Sequence, residues 1–126
     1  VARCLAVEAD LYLMDEPSAY LDANQRMEVA KIIRRVIEKR GRSGLIVDHD
    51  VYFIDLVSDT MMVFQGEPSV NGSSVGPLDL RGGMNLFLKD VGITFRRDME
   101  TKRPRINKLG SRLDDEQRRK GEYYYS

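Results

Sequence analysis

The stretch that decides the fold is Leu11-Tyr12-Leu13-Met14-Asp15-Glu16-Pro17-Ser18-Ala19-Tyr20-Leu21-Asp22. Four apolar residues lead directly into two adjacent carboxylates, and a proline then ends the extended run. A short continuous apolar run is typical of a strand that is buried on both faces, as in a parallel sheet. Because ligands bind at the carboxyl ends of parallel strands, we expect Asp15 and Glu16 to lie at a functional edge.

Further apolar runs alternate with helical patterns after this strand. Asp22 is a good N-cap for a long helix, and Gly41 is a good end for it. The strand–helix–strand–helix–strand order predicts an α/β fold built on a parallel sheet, followed by a hairpin. The predicted elements are a helix end at Val1–Val7, strands at Leu11–Asp15, Ser43–Val47 and Thr60–Gln65, and helices at about Ala23–Lys39 and Val51–Val57. After a turn at Gly66-Glu67-Pro68 come a strand at Ser69–Val75, a helix at about Leu78–Val91, an extended Ile93–Phe95, an irregular Arg96–Arg105 and a helix at Asp114–Lys120.

Length and composition indicate one domain or a piece of a larger protein. The 126 residues are 42% apolar and 32% charged, with zero formal net charge. No apolar run is long enough to span a bilayer, and no signal-peptide pattern opens the chain. The single cysteine, Cys4, excludes an intrachain disulfide. Because Val1 opens in the middle of a helical pattern without an N-cap, we expect further residues upstream.

Two kinds of side chain can perform chemistry at the predicted sheet edge. Adjacent strand residues face opposite ways, so Asp15 and Glu16 cannot do one job as a pair. A natural division gives Mg²⁺ to Asp15, directly or through water, and an attacking water to Glu16. His49 is the only histidine and follows the strand Ser43–Val47. An imidazole there can hydrogen-bond a terminal phosphate. The residues alone leave open that Asp15 and Glu16 merely end a surface strand, and that His49 is a lone strand-end histidine.

Three segments in order resemble the ATP-binding cassette ATPases. Leu11–Glu16 is similar to the Walker B motif, Ser18–Asp22 to the D-loop, and Asp48–Asp50 to the switch-histidine motif. The resemblance implies a P-loop NTPase fold that binds ATP and Mg²⁺. It further implies that Asp15 assists the metal, Glu16 is the general base and His49 senses the γ-phosphate. Ser18 and Asp22 then belong to the nucleotide-side loop that communicates between paired cassettes.

Two cassette motifs are absent from the chain. It has no Gly-x-x-x-x-Gly-Lys-Ser/Thr loop, and the Gly-rich signature expected before Val1 is not present. The sequence therefore predicts a partial P-loop NTPase fold, with the hydrolysis half of one cassette. We expect the isolated chain not to hydrolyse ATP.

The C-terminal third resembles subfamily E of these ATPases, the RNase L inhibitor family. The similar segments are Gly83–Leu88, Ile93–Asp98, Arg103–Lys108 and Gly121–Tyr125, the last being similar to archaeal members. The resemblance implies the C-terminal part of a second cassette at 1–91 and a hinge-like basic extension at 92–126. One departure is Asp48, where many members carry Glu.

The family resemblance also implies a function and partners. It implies a cytoplasmic twin-cassette ATPase that splits ribosomes together with a release factor and then stays on the small subunit. The first cassette of the same protein would be the intramolecular partner, and no membrane would be involved. Iron–sulfur clusters are expected only in a domain outside this chain, because one cysteine cannot hold a cluster.

Residues 96–126 hold ten Lys/Arg against six Asp/Glu, so the rest of the chain is net acidic. Clustered Arg beside Asn107 suits rRNA phosphate contacts, whereas packing as a hinge at the cassette junction is the alternative. Tyr123–Tyr125 can stack on bases or pack at the terminus. Two other hypotheses remain: a transporter cassette subunit, which the long extension disfavours, and a non-catalytic ribosome-docking module. The candidate RNA-contacting residues, termed the basic cluster, are Arg96, Arg97, Lys102, Arg103, Arg105 and Lys108.

Overall fold

The computed structural model describes residues 1–125, which fold as two compact units, Val1–Ser58 and the chain from Asp59 onward. In these residues no helix has the length and apolar content needed to cross a bilayer. The predicted boundary between a cassette at 1–91 and an extension at 92–126 concerns family domains and stays a prediction. The first unit contains α1 (Ala2–Leu5), β1 (Leu11–Asp15), α2 (Ala23–Arg40), β2 (Ser43–Val47) and α3 (Val51–Val57).

Strands β1 and β2 form a parallel pair, as the sequence predicts. The register runs from Leu11 opposite Ser43 to Asp15 opposite Val47, so both strands end at the same edge. Alternate residues of β1 point into the core, where Tyr12 and Met14 are buried. They pack in one cluster with Leu5, Ala30, Ile33 and Phe53.

Only one face of β1 is buried in the described residues, so the expectation of burial on both faces is wrong for this chain. Leu11 and Leu13 remain 51% and 64% exposed. The reason is that α2 and α3 contribute their apolar side chains to the Tyr12 side of the strand. On α3 the fully buried apolar residue is Phe53, whereas Val51, Ile54 and Val57 are partly buried.

Helix α2 is held at both ends by the residues that the sequence indicated. The Asp22 side chain accepts from the Gln25 amide, and the Gln25 side chain accepts from the Asp22 amide, which completes a capping box. Gly41 ends the helix in the left-handed conformation, with φ +62°. Helix α1 is shorter than predicted and ends at Leu5, because Arg40 donates to the carbonyl oxygen of Leu5 and the Tyr12 hydroxyl donates to that of Val7.

The second unit begins with an antiparallel hairpin of β3 (Thr60–Glu67) and β4 (Asn71–Asp79), which is followed by α4 (Leu80–Val91). The predicted hairpin is confirmed, with its turn at 68–70, whereas β3 has no parallel partner within residues 1–125. Both strands run further than predicted, and Asp79 caps the following helix, so that helix starts at Leu80. Gly83 lies where β3 approaches α4, and a Cβ on it would come within 2.6 Å of the Met61 Cβ.

The predicted irregular segment at 96–105 is instead part of a small three-stranded sheet. Its central strand β5 (Phe95–Arg97) pairs antiparallel with β6 (Pro104–Ile106) and parallel with β7 (Tyr124–Tyr125). Pro104 excludes a helix but is tolerated on an edge strand. Phe95 and Tyr124 stack in the core, with ring centroids 5.3 Å apart. Helix α5 (Arg112–Lys120) lies between β6 and β7 in the chain.

A buried polar network joins α5 to this sheet. Asp114 is 1% exposed and accepts hydrogen bonds from the Thr94 hydroxyl at 2.6 Å, the Gly110 amide at 3.0 Å and Arg118 Nε at 3.0 Å. The Asn107 amide group donates to Thr94 Oγ1 and to Gln117 Oε1. The hydrogen bond from Thr94 is the chief reason that the pKa of Asp114 is lowered, and it outweighs the opposing effect of burial.

Candidate functional site

Glu16 lies one residue beyond β1, at the carboxyl edge of the parallel pair. Its amide donates to the Val47 carbonyl at 2.7 Å, and its own carbonyl accepts from the Ala19 amide at 3.0 Å. Its φ of +47° lies in the left-handed region, which costs a non-glycine residue about 1 kcal/mol or more. Such strain persists only where the surroundings hold it, and it is concentrated at functional sites.

His49 lies beside Glu16. The Glu16 Oε1 and His49 Nδ1 atoms are 3.5 Å apart, and both side chains are largely exposed. The prediction that the only histidine meets a carboxylate at the same sheet edge is therefore confirmed. Two polar groups at this separation can both hydrogen-bond one water molecule that lies beside them. Their catalytic roles stay predictions.

Asp15 ends β1 next to Glu16 and is exposed. Among residues 1–125 its carboxylate has no hydrogen bond or ion pair, so its oxygens are open to solvent. No cluster of three or more His, Cys, Asp or Glu that could hold a metal occurs in the described part of the chain. An open carboxylate without a full protein cage fits Mg²⁺, which takes one or two carboxylates together with water and substrate phosphates.

Ser18 and Asp48 join the loop after β1 to the loop after β2. The Ser18 hydroxyl donates to Asp48 Oδ1 at 2.8 Å, and the Ser18 amide donates to Asp48 Oδ2 at 3.1 Å. The amides of His49 and Asp50 also donate to Asp48 Oδ1, at 2.8 and 3.0 Å. Ser18 is only 4% exposed, so this predicted site residue is already engaged within the chain.

The remaining contacts of these loops involve α2. Arg26 Nη1 lies 2.7 Å from Asp50 Oδ2, while Asp50 Oδ1 caps α3 at the Phe53 amide. Asp22 is occupied as the N-cap of α2 and accepts from Gln25. Its predicted place in a loop between cassettes is compatible with this capping role and stays a prediction.

The basic cluster divides into paired and free residues. Arg96 binds Asn107 Oδ1 at 2.9 Å, Arg97 binds the Lys102 carbonyl at 3.1 Å, and Arg105 lies 3.5 Å from Asp98. The interpretation of Asn107 as an accessory RNA contact is wrong, because it is buried in the polar network. The residues of the cluster that are exposed and make no side-chain hydrogen bond or ion pair within residues 1–125 are Lys102, Arg103 and Lys108.

Sequence reasoning named the residues that form the site but missed the backbone conformation and the contact that position them. The left-handed Glu16 carries no compositional signal, because a glycine or asparagine is the usual marker of that conformation. The link from Asp48 to Ser18 spans 30 positions, so no local pattern predicts it. The only available signal was that an acidic residue stands directly before His49.

No family model matches the chain. A search of curated proteins finds it 52% identical over 125 residues to an uncharacterised ABC transporter ATP-binding protein of Methanocaldococcus jannaschii, covering 99% of this chain and 21% of that protein. The chain thus spans about a fifth of the length of the curated relatives it matches.

Two solved structures agree with this match. One is the crystal structure of archaeal ribosomal stalk protein aP1 with archaeal ribosome recycling factor aABCE1, with a TM-score of 0.91 and 56% identity over 97% of this chain and 24% of that one. The other is an RNase-L inhibitor, with a TM-score of 0.90 and 56% identity over 96% of this chain and 24% of that one. The motifs, the fold and these identities show that the chain belongs to the RNase L inhibitor family, subfamily E of the ATP-binding cassette ATPases.

Proposed function

We propose that this chain is the hydrolysis half of the second cassette of an ATPase that splits ribosomes. The observation that carries the proposal is the 3.5 Å approach of Glu16 to His49 at the end of a parallel strand pair. The strained backbone of Glu16 supports a functional role for the same residue. The phosphate-binding loop that completes such a site would come from sequence outside this chain.

Asp15 would hold Mg²⁺, directly or through water, and the ion would neutralise charge that develops on the phosphoryl oxygens. Glu16 accepts a proton from the attacking water as the water oxygen bonds to the γ-phosphorus. The bond from that phosphorus to the bridging oxygen breaks, which yields ADP and inorganic phosphate. His49 hydrogen-bonds the γ-phosphate and shares in orienting the water. The Ser18–Asp22 loop adjoins this site and would face the paired cassette.

The similarity to an archaeal ribosome recycling factor favours ribosome splitting as the output of hydrolysis. In this proposal the protein is cytoplasmic, with the small ribosomal subunit, a release factor and its own first cassette as partners. The three exposed, unpaired cations of the basic cluster support contact with rRNA phosphates. Hinge packing at the cassette junction remains the competing role for the paired ones.

The test is Glu16→Gln in the full-length protein that carries this chain. Gln keeps the size of the side chain but cannot accept the proton, so we expect ATP turnover to fall about 100-fold or more while ATP binding persists. Glu28→Gln is the matched control, because Glu28 is exposed on α2 and contacts only Lys31. Turnover that survives Glu16→Gln would instead support a non-catalytic docking module.

Ribosome splitting is measured on the same variants by sucrose-gradient sedimentation. We expect the Gln variant to remain bound to the small subunit without cycling. Normal ATP turnover that ribosomal subunits do not stimulate, and that is not accompanied by ribosome splitting, would contradict the recycling proposal and favour a transporter cassette.

A further inference from the structure

One carboxylate, that of Asp48, contacts both of the loops that follow the two parallel strands. It accepts two hydrogen bonds from Ser18, in the loop after β1, and one from the amide of His49, in the loop after β2. Three of its four hydrogen bonds converge on Oδ1, which leaves Oδ2 for the Ser18 amide. The backbone of His49 cannot move relative to Ser18 without altering this set of hydrogen bonds.

The Asp48 carboxylate is suited to accepting these four hydrogen bonds. Burial raises the pKa of Asp48, but the hydrogen bonds from the Asp50 amide and from Ser18 outweigh burial and hold the pKa below its ordinary value. An ionised carboxylate accepts four donors, and hydrogen bonds to a charged acceptor are about twice as strong as neutral ones. The two loops are therefore joined by charge-assisted hydrogen bonds.

The other side of the His49 loop is fixed separately. Asp50 binds Arg26 of α2 and caps α3, so that end of the loop is anchored to two helices. His49 itself is exposed, and its side chain makes no contact with the core. Of the two flanking residues, only Asp48 is connected to the segment that carries Glu16.

We propose that Asp48 is a positioning residue that transmits the placement of Ser18 to His49, so that the loop after β1 controls the approach of His49 to Glu16. The inference rests on the proposed function, since it concerns the same hydrolytic site. It adds a mechanical connection: a partner surface that displaces the Ser18 loop would move the histidine and thereby alter the rate of hydrolysis.

The first test is Asp48→Asn in the full-length protein. The new Nδ2 group would face a donor, the Ser18 amide, and could not accept from it, and the hydrogen bond from the Ser18 hydroxyl would lose its charged acceptor, so the link to Ser18 is weakened. We expect kcat to fall roughly ten-fold while KM for ATP changes less than about two-fold. Asp48→Glu keeps a carboxylate and should restore most of kcat. Ser18→Ala removes one of the two hydrogen bonds and should give a smaller decrease in the same direction, which keeps the inference testable if Asp48→Asn folds poorly.

A structural role is separated from a positioning role by repeating these changes in a His49→Ala background. If Asp48 acts through His49, Asp48→Asn should have little further effect on kcat there. Additive losses in that background, or an unchanged kcat in both Asp48→Asn and Ser18→Ala, would overturn the inference. Asp10→Asn is the matched control, because Asp10 is exposed in the same unit and contacts only Arg42 outside the backbone. Failure of the proposed function is recognised separately, as turnover that survives Glu16→Gln.

Discussion

Removing the Asp114 carboxylate should loosen the C-terminal sheet without unfolding the rest of the second unit. Asp114→Ala removes three charge-assisted hydrogen bonds, each worth about 1.5–3 kcal/mol in favourable cases. Two of the donors can turn to water, because the Arg118 side chain is 29% exposed and Gly110 lies at the surface. The hydroxyl of Thr94 cannot, since Thr94 is fully buried. We therefore expect a loss of about 3 kcal/mol, at the lower end of the cost of breaking a buried ion pair.

Hydrogen exchange in the full-length protein measures this change locally. The amides of Phe95 and Asn107 bond across the sheet, to Tyr123 and Thr94, and report its opening. A loss of about 3 kcal/mol should accelerate their exchange roughly a hundred-fold. Asp115→Ala is the matched control: the residue is exposed on the same helix turn, and its removal should change exchange less than about three-fold. Equal exchange in both variants would refute the reasoning.

Two further predictions concern the same unit. Because the pKa of Asp114 is lowered from its ordinary value of 3.8, its stabilisation should be complete above about pH 4 and be lost as pH falls below that value. The protection of the β5 amides, taken relative to their intrinsic exchange rate at each pH, should then fall with pH in the natural protein and much less in Asp114→Ala. Charge reversal of Arg103 together with Arg105 should weaken co-sedimentation with ribosomes and reduce the salt slope of binding by about one per lost phosphate contact. Unchanged co-sedimentation at low salt would remove the rRNA interpretation, and Arg35→Glu is a control on the other unit.

The sequence was sufficient to predict the features that are local in the chain. The two parallel strands, the capped helix α2 and the limits of α3 follow from apolar runs and end signals within a few residues. The approach of His49 to Glu16 was also predictable, because parallel strands of equal length end at the same edge. These inferences need only the order of the elements and the rules of sheet geometry.

What could not be predicted depends on distant partners. The segment at 96–105 has the charge of a solvated loop, yet it forms strands because Asn107, Gln117 and Asp114 satisfy the backbone and side-chain groups around it. The turn after β3 was misplaced because Gly66 is a turn former in isolation. In the structure it sits within the paired strand, opposite Gly72.

The left-handed backbone of Glu16 has a consequence for how this chain can evolve. By conformational preference alone the position belongs to glycine, which would relieve a strain of about 1 kcal/mol. A mutation to glycine would therefore stabilise the folded state of the protein while removing its proposed proton acceptor. Under the proposed function, folding stability and ATP turnover favour different residues at this one position. The strain at Glu16 is, under that function, folding stability given up for turnover.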